Sequence, residues 1–393
     1  MTELADFQAE TRAWLAENCP EGARGPGPIS IGSRSLDVGT DTRLWLERMA
    51  ERGWTVPTWP KAYGGAELDR DQYRILIEEL GRIEARPPLS GRGVNYIGPT
   101  ILELGSDEQK AQWLPQIARG DGAWAMGYSE PGAGSDLASL SLKAVLDGDH
   151  YVLNGSKIWT SDAVDCDYIF VLVRTSPDKP KHEGISLILV DMAQEGVQVN
   201  PIRLLSGASP FCETVFENAL APAADVIGGV DNGWTVGKRL LQFERSTHAG
   251  INISGSQGGR AEESPVPAMV RDYAPLAEGR IADSALRERL IRFAMNEQAQ
   301  RYTQGRAVEE LKSRAPGFTS SAVKLTGALL KQEGDEILVE AMGTRMLGGD
   351  DSFLPEERSA QRTWLYGKSL TIAGGTKEVQ KNIIAKRVLG LPD

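Results

Sequence analysis

Between residues 122 and 225 the chain gives up helical spacing for short apolar runs of strand length, and helical spacing returns on both sides. "YIFVLVRT" and "ISLILVDM" are β-branched runs, and "LKAVLDGDHYVLNGSKIWTS" reads as strand, DGD turn, strand, NG turn and strand. "VQVNPI" and "ETVFENALAP" follow. Strands this closely spaced pack as a sandwich or a barrel. A β block held between two helical blocks gives an α+β chain in the order α, β, α, with no internal repeat and no low-complexity tail.

The N-terminal block, residues 1–121, places Phe7, Trp14 and Leu15 near one stripe of a first helix. "DTRLWLERMAERG" and "DRDQYRILIEELGRIEA" each open on an Asp suited to an N-cap, and "SDEQKAQWLPQIARG" opens on Ser-Asp and closes on Gly120. "CPEGARGPGPISIGSRS" between the first two is a Gly/Pro-rich loop. Beyond about residue 230, helices are expected near 233–259, 281–311, 319–342 and 356–390, with "EESPVPAMV" as a loop. Four long helices suggest a bundle. The expected divisions are 1–121, 122–228 and 229–393.

Net charge is 43 − 54 = −11, which argues against nonspecific nucleic-acid binding. Cys19, Cys166 and Cys212 show neither metal-ligand nor redox spacing, and a reduced compartment suits them. His150, His182 and His248 are equally scattered, so neither a metal site nor a His-based triad is expected. The first residues carry acidic groups at helical spacing, unlike a signal peptide, and no apolar run approaches the roughly 18 residues of a membrane span. The expected location is the cytoplasm.

One charged pair is out of place. At 100° per residue, Gly237, Leu240, Leu241, His248 and Ile251 form a stripe that contains Glu244 and has Arg245 at its edge. Lys238, Arg239, Gln242 and Ser246 take the opposite arc. Glu244 therefore sits on the side a helix buries, where a carboxylate is costly unless paired, protonated or functional. Periodicity alone leaves open a structural ion pair or a working carboxylate.

"YSEPGAGSDLAS" (128–139) turns tightly and exposes backbone N–H groups and hydroxyls, which suits close approach to a flat ring or a phosphate. It is not GxGxxG and has no βαβ context, so a Rossmann site is not supported. Together with "NGSKIWTS" and the C-terminal "TIAGGTKEVQKNIIAKRVLGLP", it resembles the acyl-CoA dehydrogenase family. "WPKAYGG" and "GPTILELGSDEQKAQWLPQIARGD" resemble that family's N-terminal helical domain, so the likeness covers nearly the whole chain.

The resemblance implies an N-terminal helical domain, a central β-barrel, a C-terminal four-helix bundle and FAD where they meet. By position it assigns Met126, Ser129, Trp159, Thr160 and Ser161 to the flavin, with Thr160 and Ser161 keeping hydroxyls where relatives have "WIT". Ser135 matches a serine that meets the CoA part of the substrate, and Thr376 and Glu378 match the C-terminal cofactor motif. The family's reaction removes a proton α to a thioester while hydride leaves the β carbon, giving a trans-2-enoyl-CoA. It needs hydrogen bonds to the thioester oxygen, a dry site and a base of raised pKa. Some members carry the base just before a Gly-Thr pair near the C-terminus, and Gly374 stands there. Isovaleryl and long-chain members carry it on the first long helix of the C-terminal domain, a position Glu244 matches, with Arg245 at a place that approaches CoA.

Most homotetrameric members have an Arg-x-x-Phe-Gly motif whose Arg reaches the FAD diphosphate of a neighbour. Residues 255–280 lack it, with Arg260 the nearest candidate. That departure resembles actinobacterial-type and heteromeric members. The resemblance thus implies an acyl-CoA substrate, an electron-transferring flavoprotein as oxidant, and a dimer or tetramer that can be heteromeric with a homologous subunit. The alternatives on the same fold are a half-site subunit without its own chemistry and a flavin oxidase or monooxygenase. Ala373-Gly374-Gly375 either opens room for a branched or bulky acyl group or simply fits a helix start.

Overall fold

The computed structural model describes residues 2–248, 264–312, 319–349 and 352–392. Residues 2–202 and 209–247 form one compact unit, and the described residues from 264 to 392, with 203–208 and 248, form another.

The first unit opens with helices α1 (Thr2–Asn18), α2 (Thr40–Glu51), α3 (Arg70–Arg82), α4 (Gly98–Leu104) and α5 (Asp107–Arg119). Asp69 and Ser106 cap α3 and α5 in reciprocal capping boxes with Gln72 and Gln109, and Gly120 ends α5 at φ +70°. Leu15, Trp45, Met49, Trp54, Leu76 and Leu80 make the core of the first three helices. The Gly/Pro loop that follows α1 is tied down by Arg86, which donates to the carbonyls of Pro28, Arg24 and Gly25 at 3.0–3.1 Å, and to that of Gly22.

Buried against this core, Glu79 accepts from Arg12 Nη2 (2.7 Å) and Nε (3.0 Å), Arg82 Nε (2.8 Å) and Gln8 Nε2 (2.9 Å). These donors, Arg12 foremost, hold its carboxyl down at about 2 against an ordinary 4.5. A carboxyl depressed on folding contributes stability above its unfolded value and loses it as pH falls through the folded one. Glu79→Gln is therefore expected to cost about 2 kcal/mol at neutral pH, and the difference from wild type to shrink between pH 4.5 and about 2. Urea unfolding across that range checks it.

The β block is a single eight-stranded sheet: β1 (Trp124–Gly127), β2 (Lys143–Asp147), β3 (His150–Ser161), β4 (Tyr168–Arg174), β5 (Ile185–Asp191), β6 (Val197–Ile202), β7 (Phe211–Pro222) and β8 (Val226–Ile227). Pairing runs β6-β7-β3-β2-β4-β5-β8, with β1 parallel to β4. The sheet curls, so that Ala125, Ala144, Leu153, Val171, Ile188, Phe216 and Ala219 from six strands share one interior core. Tyr168, Phe170, Leu172, Ile185, Leu187 and Leu189 face the other way, into a second core with α4, α5 and α6 (Gly233–His248). Burial on both faces explains why β4 and β5 are apolar without alternation. The NG expected as a turn lies inside β3: Gly155 adopts φ +143° beside a register shift at Leu153/Asn154, so a bulge absorbs the pair and the strand continues.

In the second unit, α7 (Val266–Tyr273), α8 (Ser284–Lys312), α10 (Pro355–Gly367) and α11 (Lys377–Ile383) gather around α9 (Thr319–Met342). Val266, Val270, Leu286, Leu290, Phe293, Ile337, Leu338 and Met342 fill its core. Two expectations are corrected here. "VPAMV" belongs to α7, because Pro265 as N-cap and Pro267 in the first turn occupy positions whose N–H would bond nothing anyway. The segment 356–390 is two helices, because Gly374 (φ +64°) and Gly375 (φ +89°) break the helical backbone between them. No helix among the described residues is long and apolar enough to cross a membrane.

Candidate active site

Helix α6 approaches the sheet closely because its buried stripe begins with glycines. A Cβ on Gly233 would lie 2.4 Å from the Ser186 carbonyl carbon of β5, and one on Gly237 would touch Leu172 of β4 and the Tyr128 hydroxyl at 3.4 Å. Val236, Leu240 and Phe243 continue the stripe, and Glu244, 8% exposed, lies two turns beyond Gly237 on it. The opposite arc is solvated: Arg239 pairs with Glu103 at 2.7 Å and lies over the Phe243 ring.

Two phenols share the surroundings of Glu244. Burial, then the Glu244 charge, push Tyr96 up to about 12 and Tyr128 well above its ordinary value. Tyr96 comes from the π-turn Gly93–Ile97 that leads into α4, and Tyr128 follows β1 and donates to the Gly237 carbonyl at 3.5 Å. Glu244 is thus a buried carboxyl on the packed face of α6, close enough to both phenols for its charge to act on them. Arg245 lies in α6, but its side chain is outside the described residues, as is Arg260.

The residues from 128 to 142 are organised by Glu130. Its backbone exchanges hydrogen bonds with Ala133 (3.0 Å each), closing the Pro131-Gly132 turn. Its carboxylate takes Lys157 Nζ (2.7 Å) and Leu142 N (2.9 Å) on one oxygen, and Ser141 N (2.7 Å) and Oγ (2.8 Å) on the other. Burial would raise this carboxyl, but Lys157 and the two N–H groups outweigh it and hold it below its ordinary value. Lys157 is 0% exposed, and burial brings its ammonium down to about 8 despite Glu130. Ser129, half-buried, accepts Ile158 N at 2.9 Å, which sets it beside the end of β3. Met126 in β1 is half-buried, packed on the core that α6 shares. Ser135 is exposed in the loop beyond the turn.

Trp159 occupies a bulge between Ile158 and Thr160 at φ +63°, a strained backbone for a bulky residue, and its indole is 51% exposed with its face at 87° to Phe211. Such strain collects where a side chain must be aimed. Thr160 points the other way: fully buried, it donates to the Cys212 carbonyl (3.0 Å) and bonds Thr214 Oγ1 (2.8 Å). The inserted residue thus turns the Thr160 side chain toward β7. Ser161, half-buried, follows on the alternate face.

In the second unit, Thr376 caps α11 by accepting Val379 N at 3.2 Å, and Glu378 is exposed beside Lys377. The Gly374-Gly375 bend is held by Gln380, which donates to Gly374 O at 3.0 Å, and by Lys324, which donates to Gly375 O at 2.5 Å and Leu370 O at 3.2 Å. Among the described residues no three His, Cys, Asp or Glu side chains gather to hold a metal. The reading of the sequence missed Lys157, Tyr96 and Tyr128; a lysine at an inward position of a strand was the available signal.

Comparison with known proteins finds three consecutive family matches: the acyl-CoA dehydrogenase N-terminal domain over residues 3–121, the middle domain over 125–219 and the C-terminal domain over 231–389. Acyl-CoA dehydrogenase IpdE1 of Mycobacterium tuberculosis H37Rv is 36% identical, covering 100% of this chain and 99% of the relative. Among solved structures, the Tcur3481-Tcur3483 steroid ACAD matches with TM-score 0.74 at 30% identity over 100% of this chain and 98% of that one. The ChsE4-ChsE5 complex from Mycobacterium tuberculosis matches with TM-score 0.72 at 30% identity and the same coverage.

Proposed function

This chain belongs to the acyl-CoA dehydrogenase family of FAD-dependent oxidoreductases, and from that membership we propose that Glu244 is the base that takes the α-proton of an acyl-CoA thioester. The observation that carries the proposal is a buried carboxylate on α6 beside two phenols, in a chain whose Gly374 leaves the alternative base position without a carboxylate. FAD suits the residues present: Trp159 offers an exposed flat indole next to Ser129 and Ser161, at the end of a strand fixed from below. When bound, FAD would supply the acceptor for the hydride leaving the β carbon.

The residues of the chain then have separate tasks. Glu244 removes the α-proton, and its burial on the packed face of α6 limits the access of water to the transfer. Ser135 and Arg245 hold the CoA portion by the family pattern. Met126, Ser129, Trp159 and Ser161 orient the cofactor, and by the family pattern Thr376 and Glu378 belong to the C-terminal motif that contacts it. Reoxidation passes to an electron-transferring flavoprotein.

A second chain belongs in this reading. The Arg-x-x-Phe-Gly motif is missing from 255–280, and two structural relatives carry paired names, the ChsE4-ChsE5 complex and the Tcur3481-Tcur3483 steroid ACAD. We therefore propose a heteromer with a homologous subunit that supplies the diphosphate-binding Arg, acting on a bulky acyl group of steroid type. Anaerobic addition of straight-chain, branched and steroid acyl-CoA esters tests it. Bleaching of the flavin band by bulky esters first is expected, and bleaching by straight-chain esters alone would reject the acyl class.

A further inference from the structure

A lysine with no exposed surface is costly, since taking an ion out of water carries a large desolvation penalty and a well-packed apolar residue is often at least as stable. Lys157 makes two directed contacts from a fully buried position in β3: Nζ donates to Glu130 Oε1 at 2.7 Å and to the Tyr128 carbonyl at 3.1 Å. Ser129 lies between those two partners, so both of its neighbours are gripped by one ammonium. The grip extends further through the Glu130 carboxylate, which also holds Ser141 and Leu142 ahead of β2.

On the other side, Lys157 stands two residues before Trp159. A half-exposed tryptophan at φ +63° persists only if its neighbours over-determine it. Two buried polar anchors do so, Lys157 before the bulge and the Thr160 hydroxyl after it. The Ile158 N–H to Ser129 carbonyl bond closes the frame at 2.9 Å.

We propose that Lys157 is a positioning residue for the cofactor, its ammonium locking the Tyr128–Glu130 segment to the strand that carries Trp159 so that both present themselves to the flavin as one rigid face. This rests on the assignment of Ser129 and Trp159 to FAD and is independent of the role of Glu244. An apolar residue of equal volume would fill the space but leave the two segments free to shift against each other.

The test is the FAD dissociation constant and the shape of the visible flavin band in Lys157→Met, measured on the enzyme as isolated, with its partner chain where that chain is required for loading. Glu79→Gln serves as a control, because it breaks a buried ion pair in the N-terminal helices. The expected result is FAD binding weakened about tenfold in Lys157→Met, with an altered band, at a Tm matched by the Glu79 variant, whose FAD affinity stays unchanged. Wild-type affinity and band in Lys157→Met, or an equal loss in the Glu79 control, overturns the proposal. If Lys157→Met does not fold, Ser141→Ala removes one hydroxyl bond from Glu130 and keeps every charge. It should weaken FAD about threefold to tenfold, and unchanged binding there overturns the proposal equally.

Discussion

Glu244→Gln is expected to lower turnover by about 10²–10⁴-fold, the usual worth of a positioned general base, with FAD content and acyl-CoA binding close to wild type. The substitution conserves volume on a stripe already fixed by Gly233, Gly237 and Leu240, so the packing of α6 against β4 and β5 has no reason to change. What it removes is the ability to accept a proton. If Glu244 were only a structural partner, the reverse pattern would follow: a lower Tm with nearly intact turnover. Steady-state kcat and KM, set beside the melting temperature, separate the two. The loss should fall on kcat and leave KM nearly unchanged, because the proton transfer is an interaction of the transition state.

Expressed alone, the chain is expected to carry little FAD, and co-expression with a homologous subunit is expected to tighten FAD binding about 100-fold, the scale of a bidentate charge-assisted pair between an Arg and a diphosphate. The argument is one of inventory. A diphosphate needs cationic or N–H donors, and the segment in which the family places its Arg has none in the right pattern between 255 and 280. Flavin-to-protein ratio by absorbance after gel filtration, with and without the partner, checks it. Full occupancy in the lone chain would remove the need for a second subunit.

How much of this was legible beforehand follows from what each pattern encodes. The face of Glu244 could be read because a 3.6-residue period fixes direction whatever the helix packs against, and Arg239 does lie on the opposite arc. The two-faced strands were readable as strands, though which core each side chain entered depended on pairing partners far along the chain. Thr160 and Ser161 looked alike as hydroxyls because nothing in the string revealed that residue 159 was an insertion. The NG in β3 misled for a related reason: a turn signal and a bulge signal use the same residues. Lys157 escaped because a lysine in a strand ordinarily faces water, and its burial becomes tolerable through partners far earlier in the chain, the Glu130 carboxylate and the Tyr128 carbonyl. The paired glycines at 374–375 carried a break that helical periodicity alone passed over.

The most direct measurement of the central claim is exchange of the substrate's α-hydrogen with solvent deuterium, followed by mass spectrometry on the FAD-loaded enzyme. It reports proton abstraction without requiring the hydride step to finish. Wild type should label the α carbon of the acyl-CoA it accepts, and Glu244→Gln should leave it unlabelled on the same timescale while still binding the ester. Labelling by the Gln variant at the wild-type rate would contradict Glu244 as the base.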